Sequence, residues 1–158
     1  MWMTWILVAM MSLTGYFFLE DQLKSPQPPI QKTLDLAASM ATYRQTVIAY
    51  LSRNPAFAGD AVPEAALSSY LPSWYVSYPS WKNYLSADGT IVIYAPNLPP
   101  LDIVPDIARL SQNSLLAGVA DLKSGTLHTP AAGDTGIPLP AGVALPDGGP
   151  VWLARRNQ

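Results

Sequence analysis

The sequence predicts an α+β fold in which one long helix packs on an antiparallel sheet, preceded by an apolar amino-terminal segment. Three observations support this prediction. Residues 1–19 carry no side chain that is charged at neutral pH, residues 33–54 show the apolar periodicity of a helix, and beyond Pro55 the chain has the pattern of short strands and turns. A helix followed by antiparallel strands is typical of a two-layer arrangement, with the helix covering one face of the sheet.

Residues 1–19 are predicted to form a transmembrane anchor. As a helix they would span roughly 28 Å, close to the thickness of a bilayer's hydrocarbon core. Trp2 and Trp5 lie near one end and Tyr16 near the other, where aromatic rings favour the headgroup region. A cleaved secretory leader is the alternative, but the apolar run is longer than usual for one. We therefore expect a retained single-span anchor, with the amino end inside and residues 20–158 outside, in a periplasm-like space.

The stretch GYFFLE at residues 15–20 resembles the processing site of a type IV prepilin, with a glutamate five residues after the glycine. A prepilin keeps its apolar helix after the cut. Here cleavage after Gly15 would remove the apolar segment and leave the polar sequence DQLKSPQPPIQK. A retained anchor is therefore favoured over processing, and a mature amino terminus at Tyr16 would indicate the opposite.

Residues 20–32 are predicted to be a proline-rich, extended spacer, and residues 33–158 a periplasmic α+β domain. Proline fixes φ and removes a backbone donor, which favours an extended chain. In the helix that follows, Thr33 is the predicted N-cap and Asn54-Pro55 ends the pattern. Its apolar residues recur at spacings of three and four, as expected of a core-facing stripe: Leu36, Met40, Tyr43, Val47, Tyr50 and Leu51.

The remaining residues of the domain predict two hairpins, a short helix and a closing strand. The first hairpin covers residues 81–95 and turns at Asp88-Gly89, and the second covers residues 114–130 and turns near residues 123–125. Pro105 suits the start of a helix over residues 104–112. Residues 130–150 contain five prolines and five glycines, which predicts an irregular loop, and residues 151–155 resume as a strand.

Composition and motifs argue against several functions. The net charge of −2 and the lack of a basic cluster make nucleic acid an unexpected partner. There is no cysteine, and His128 is the sole histidine, so we predict no metal or cofactor and interpret His128 as a surface or loop residue. The triplet at residues 123–125 has no accompanying S-x-x-K nucleophile, and nucleotide-binding loops are absent. We expect neither an enzyme nor a small-molecule substrate.

Aromatic residues are concentrated in residues 70–84, YLPSWYVSYPSWKNY, with four tyrosines and two tryptophans. These rings fit two interpretations, which can coexist: they fill the space between helix and sheet, or they form a surface that binds a protein partner. Tryptophan and tyrosine are favoured anchors in protein interfaces. On the second interpretation the candidate partner-binding residues are Trp74, Tyr75, Tyr78 and Trp81.

The order of these features resembles the PilM family of plasmid and enterobacterial type IVb thin-pilus operons, which is distinct from the actin-like protein of the same name. The resemblance is carried by the apolar start, YRQTVIAYLSRNPAF at residues 43–57, LPSW at 71–74, WKNY at 81–84 and GTIVIYA at 89–95. It implies a role in the biogenesis of thin pili and no catalytic residues. The helix on an antiparallel sheet is also similar to the head of a pilin.

Together these observations predict a non-enzymatic, membrane-anchored accessory protein of type IVb pilus assembly. Its expected partners are pilins or other pilus assembly proteins, together with the lipid of the inner membrane. Two alternatives stay open: a minor pilin processed after Gly15, and a periplasmic hydrolase whose site no motif reveals.

Overall fold

The computed structural model describes residues 29–76 and 81–156. Within these residues the chain forms an α+β fold with one long helix and a six-stranded antiparallel sheet. The helices are α1 (Pro29–Arg53), α2 (Glu64–Leu67) and α3 (Val104–Leu110). The strands are β1 (Lys82–Leu85), β2 (Thr90–Tyr94), β3 (Ala117–Asp121), β4 (Thr126–Thr129), β5 (Gly133–Pro138) and β6 (Pro150–Arg155).

Helix α1 confirms the predicted long helix, but it begins at Pro29 rather than Thr33. Thr33 therefore lies inside the helix and does not cap it. A proline at the first helical position loses no hydrogen bond, because the N–H groups of the first turn have no partner within the helix. The apolar stripe is also confirmed: Met40, Val47 and Leu51 are each at most 2% exposed.

The predicted anchor over residues 1–19 and residues 20–28 of the predicted spacer lie outside the described residues. Among the helices that are described, none combines the length and apolarity needed to cross a bilayer.

The sheet has the strand order β1-β2-β6-β3-β4-β5, with every neighbouring pair antiparallel. Strand β6 is thus the last strand in sequence but lies in the interior of the sheet, hydrogen-bonded to β2 and β3. Its side chains are buried on both faces, with Val151 and Leu153 on one side and Trp152 and Ala154 on the other. This strand therefore joins the two predicted hairpins into one sheet.

Both predicted hairpins and the short helix are confirmed. Gly89 lies between β1 and β2 with a φ of +83°, and Gly125 lies between β3 and β4 with a φ of +69°. These left-handed conformations are readily adopted by glycine, which lacks a Cβ. Helix α3 has Pro105 in its first turn, as the sequence predicts.

The prediction of an irregular loop over residues 130–150 is wrong in part, because Gly133–Pro138 forms strand β5. This strand pairs with β4 at the edge of the sheet, with a register shift between Thr126 and His128. Gly133 and Gly136 have φ of +66° and +65°, so the strand bends where glycine permits it. Proline is tolerated here because an edge strand has backbone N–H groups that need no partner strand.

The two faces of the sheet bury separate apolar clusters. Helix α1 covers one face, where Met40 and Val47 pack with Ile91, Ile93 and other strand residues. On the opposite face Val92, Val151 and Leu153 are covered by residues of the segment 137–145. Gly142 lies so close to this face that a Cβ there would be 2.0 Å from the Tyr84 hydroxyl oxygen. The proline-rich segment thus serves as a third layer of the domain.

Candidate partner-binding surface

The aromatic segment begins after α2 and forms a turn from Pro72 to Tyr75, closed by a 2.9 Å hydrogen bond from the Tyr75 N–H to the Pro72 carbonyl. The turn separates its two aromatic side chains. Tyr75 is partly buried and packs against the cluster under helix α1. Trp74 is 70% exposed, and Val76 beside it is 76% exposed. The turn therefore presents an indole and an aliphatic side chain to solvent.

Aromatic packing on helix α1 holds the start of this segment in place. The ring of Tyr70 lies 5.7 Å from that of Tyr50, edge to face, and Tyr50 contacts Phe57 in the same way at 5.7 Å. The Arg53 guanidinium lies 5.2 Å from the centre of the Tyr70 ring. Contacts of this kind each contribute about 0.5–1.5 kcal/mol beyond the burial of apolar area. Tyr70 thus supports the turn that exposes Trp74.

The prediction that Trp81 contacts a partner is wrong, because its side chain is only 1% exposed. It belongs to the cluster under helix α1, where its Nε1–H donates to the Ser39 hydroxyl at 3.1 Å. Trp81 therefore fills the space between helix and sheet, which was the first of the two interpretations. Tyr78 lies in residues 77–80, outside the described residues. Within the described part of the segment, Trp81 thus belongs to the core and Trp74 to the surface.

Polar residues also cluster around His128, which lies in strand β4 and not in a loop. Its Nε2 is 3.3 Å from Asp121 Oδ2 and 3.8 Å from Asp134 Oδ1. The sequence did not predict this grouping, because only the antiparallel register of β3, β4 and β5 brings the three residues together. The described residues hold no group of three His, Cys, Asp or Glu side chains suited to a metal ion.

Hydrogen bonds from neighbouring groups lower the pKa values of the two carboxylates in this cluster. The Ser124 side chain, with backbone N–H groups of residues 123 and 124, lowers the pKa of Asp121. The Gly136 N–H and the Thr126 hydroxyl lower the pKa of Asp134. The Ser124 hydroxyl lies 2.6 Å from the Thr126 hydroxyl. These contacts join neighbouring strands and turns, and none of them places a hydroxyl nucleophile on the imidazole.

The groove beside Arg156 has a volume of about 650 Å³ and is lined by residues of the loops after α1 and β1. Arg156 is the one cationic residue that lines it, and its guanidinium already donates hydrogen bonds to backbone carbonyls. Arg156 Nη1 donates to the Phe57 carbonyl at 2.8 Å, and Nη2 donates to the Asn54 carbonyl at 3.2 Å and to that of Pro55. Arg156 therefore fastens the end of the sheet to the segment that follows α1.

Comparison with known proteins gives the following matches. A family model described as PilM matches residues 8–153. The chain is similar to a crystal structure described as PilM from Escherichia coli B7A, with 20% identity, a TM-score of 0.56, and coverage of 83% of this chain and 98% of that one. It is also similar to one described as pilM protein from Pseudomonas aeruginosa 2192, with 30% identity, a TM-score of 0.41, and coverage of 78% and 95%. No curated protein matches. The likeness to the E. coli protein shows a common fold.

Proposed function

Because the chain belongs to the PilM family, we propose that it is a non-enzymatic accessory protein of type IVb pilus assembly. In this proposal residues 1–19 hold the protein in the lipid of the inner membrane. The α+β domain lies in the periplasm and binds a pilin or another pilus assembly protein. The domain would act by presenting a surface rather than by chemistry.

The exposure of Trp74 is the observation that carries this proposal. An aromatic side chain buries about 150–250 Å² when it enters an interface. At about 25 cal/mol per Å², burying the exposed 70% of Trp74 would favour association by roughly 3 kcal/mol before the costs of binding. The hydrogen bond from Tyr75 to Pro72 and the packing of Tyr75 hold the backbone of the turn, so less ordering of the chain is needed on binding. Tryptophan is among the residues enriched in interface hot spots.

The test is a double substitution, Trp74→Ala with Val76→Ser, in cells that assemble the pili. We expect surface pili to fall at least about tenfold, since interface anchors of this type contribute about 2 kcal/mol or more. The free energy of unfolding should change by less than about 0.5 kcal/mol, because both side chains are exposed. Electron microscopy and chemical denaturation measure the two quantities.

Leu122→Ala is the matched control, because Leu122 is also a large exposed apolar residue, at 52%, but lies in the turn between β3 and β4. It should leave the number of pili unchanged. Normal piliation in the double variant would contradict the proposal, whereas a large loss of stability would assign the two side chains to the fold.

A further inference from the structure

Arg44 is a cation on helix α1 whose described contacts are all uncharged. Its Nε and Nη2 donate to the Leu153 carbonyl at 3.3 and 3.2 Å. Its guanidinium lies 5.1 Å from the centre of the Trp152 ring, which is itself 6% exposed. Among the described residues, the ion pairs involve Lys82, Arg109 and His128, and none includes Arg44.

The Arg44 side chain is partly buried from solvent. Burial lowers the pKa of its guanidinium, and among the described residues no carboxylate forms an ion pair with it. An arginine remains charged in proteins all the same. A partly buried charge is stabilised by a hydrogen-bonded ion of opposite sign, which is how such charges are usually accommodated. Here the described part of the chain supplies no such ion.

Arg44 is one of the residues that line a pocket of about 330 Å³. Arg44 is the one charged residue among those lining it, and the others are polar or apolar. Ala41, Leu110 and Trp152 give it apolar walls, while Gln45, Gln112 and Ser114 contribute amide and hydroxyl groups. The Ser114 hydroxyl accepts the Leu116 N–H at 3.2 Å and still has its own proton to donate.

The wall formed by Gln112 has an uncommon backbone. Gln112 and Asn113 have φ of +56° and +57°, in the left-handed region that residues with a Cβ rarely adopt. The conformation is held by the Asn113 N–H, which donates to the Ala108 carbonyl at 2.7 Å. Left-handed residues directly after a helix are a common way of ending it, and here they fix the position of the Gln112 wall. Leu110, 42% exposed, and the following Leu115 and Leu116, 49% and 37% exposed, add apolar residues along the same segment.

We propose that this pocket binds a carboxylate of a partner polypeptide, with an aliphatic side chain next to the carboxylate resting against Leu110. The Leu153 carbonyl occupies the Nε and Nη2 edge of Arg44, which leaves Nη1 and the second N–H of Nη2 to donate to a carboxylate. The pocket has the volume of a small ligand site, enough for one or two residues. The carboxylate would come from an Asp or Glu side chain or from a chain terminus. This inference rests on the proposed function only for the source of the partner, a pilus component.

Binding is tested with the full-length chain in neutral detergent, labelled with ¹⁵N in its tryptophan indoles, and with short capped peptides as probes. Acetyl-Leu-Glu-amide should shift the Trp152 indole resonance, and it should bind at least about tenfold more tightly than acetyl-Leu-Gln-amide. Acetyl-Leu-Ala with a free carboxyl terminus distinguishes a chain terminus from an acidic side chain as the source. Equal affinity for the Glu and Gln peptides, together with no binding of acetyl-Leu-Ala, would overturn the proposal.

Ala41→Glu provides a variant that keeps Arg44 in place. Ala41 lies one helical turn before Arg44 and lines the pocket, so a glutamate there supplies an internal carboxylate. We expect Ala41→Glu to abolish binding of the acidic peptide and Ala41→Gln to preserve it. Arg44→Gln should weaken binding at least tenfold, while Arg53→Gln, which removes another arginine of α1 that lies over an aromatic ring, should not.

Unchanged binding in both Ala41→Glu and Arg44→Gln would refute the pocket as the site. The outcome is separable from that of the proposed function, because it is measured on the isolated chain. If no acidic peptide binds while the Trp74 variant loses its pili, the inference fails and the proposed function stands. If the acidic peptides bind but the number of pili does not depend on the chain, the proposed function fails and the carboxylate-binding pocket stands.

Discussion

At the scale of single residues, Asn83 shows how one polar side chain stabilises the core. It is 7% exposed, and its Oδ1 accepts the Val62 N–H at 2.7 Å. Its Nδ2 donates to the Val62 carbonyl at 3.0 Å and to the Tyr43 hydroxyl at 2.8 Å. The amide thus provides hydrogen-bond partners for the backbone of Val62, beside edge strand β1, and for the hydroxyl of Tyr43 on helix α1.

We predict that Asn83→Ala lowers the free energy of unfolding by about 2–4 kcal/mol, because it leaves buried donors and acceptors without partners. Urea denaturation at neutral pH measures the change. Asn97→Ala is the control, since Asn97 is exposed, and it should stay within about 0.5 kcal/mol of the parent chain. A loss below 1 kcal/mol for Asn83→Ala would contradict the assigned role.

Tyr43 gives a prediction about alkaline pH. Burial raises the pKa of its hydroxyl to about 12 from 10.0, and the hydrogen bond with Asn83 opposes that rise. The folded state therefore holds this proton where the unfolded state has lost it. Its contribution to stability is complete below pH 10 and is lost as the pH rises from 10 toward 12.

The parent chain should accordingly lose about 1–2 kcal/mol more stability over that interval than Tyr43→Phe, which has no hydroxyl to ionise there. Denaturation at a series of pH values measures both slopes. Equal slopes for the parent and Tyr43→Phe would refute the prediction.

At the scale of elements, the sequence predicted those whose signals are local. Helix α1 and both hairpins follow from periodicity and from turn glycines, which act within a few residues. Strand β5 was missed because the glycines and prolines that suit a bent edge strand also suit a loop. Trp81 was misassigned because its ring alone does not indicate a face. The alternation of Trp81, Asn83 and Leu85 was the available signal, since all three are buried.

Arg156 provides the prediction at this scale, because it connects strand β6 to the loop after helix α1. Arg156→Ala should lower the free energy of unfolding by about 2–3 kcal/mol, since it removes the charged hydrogen bonds of Arg156 to the carbonyls of Asn54 and Phe57. Arg155→Ala, at the exposed end of β6, should have an effect below about 0.5 kcal/mol. Chemical denaturation compares the two, and equal effects would show that the carbonyl contacts contribute nothing specific.

At the scale of the whole molecule, the domain uses its polar residues for structure and leaves two features unexplained by folding. Asn83 and Arg156 satisfy backbone groups, and the His128 cluster joins strands β3, β4 and β5. Trp74 is exposed and needs no burial for the fold. Arg44 donates to the Leu153 carbonyl, but it is a partly buried cation with no carboxylate partner among the described residues. The sequence could nominate Trp74 from its aromatic neighbourhood. It could not nominate Arg44, whose surroundings come from α1, β6 and the segment after α3.

The most direct test of the central claim, that the exposed turn contacts a pilus component, is photo-crosslinking in cells that assemble the pili. A photoreactive phenylalanine is placed at position 74, and at position 122 for comparison. We predict a covalent adduct between the chain and another protein of the pilus system at position 74 and none at position 122. Normally piliated cells that yield no adduct at position 74 would contradict the account.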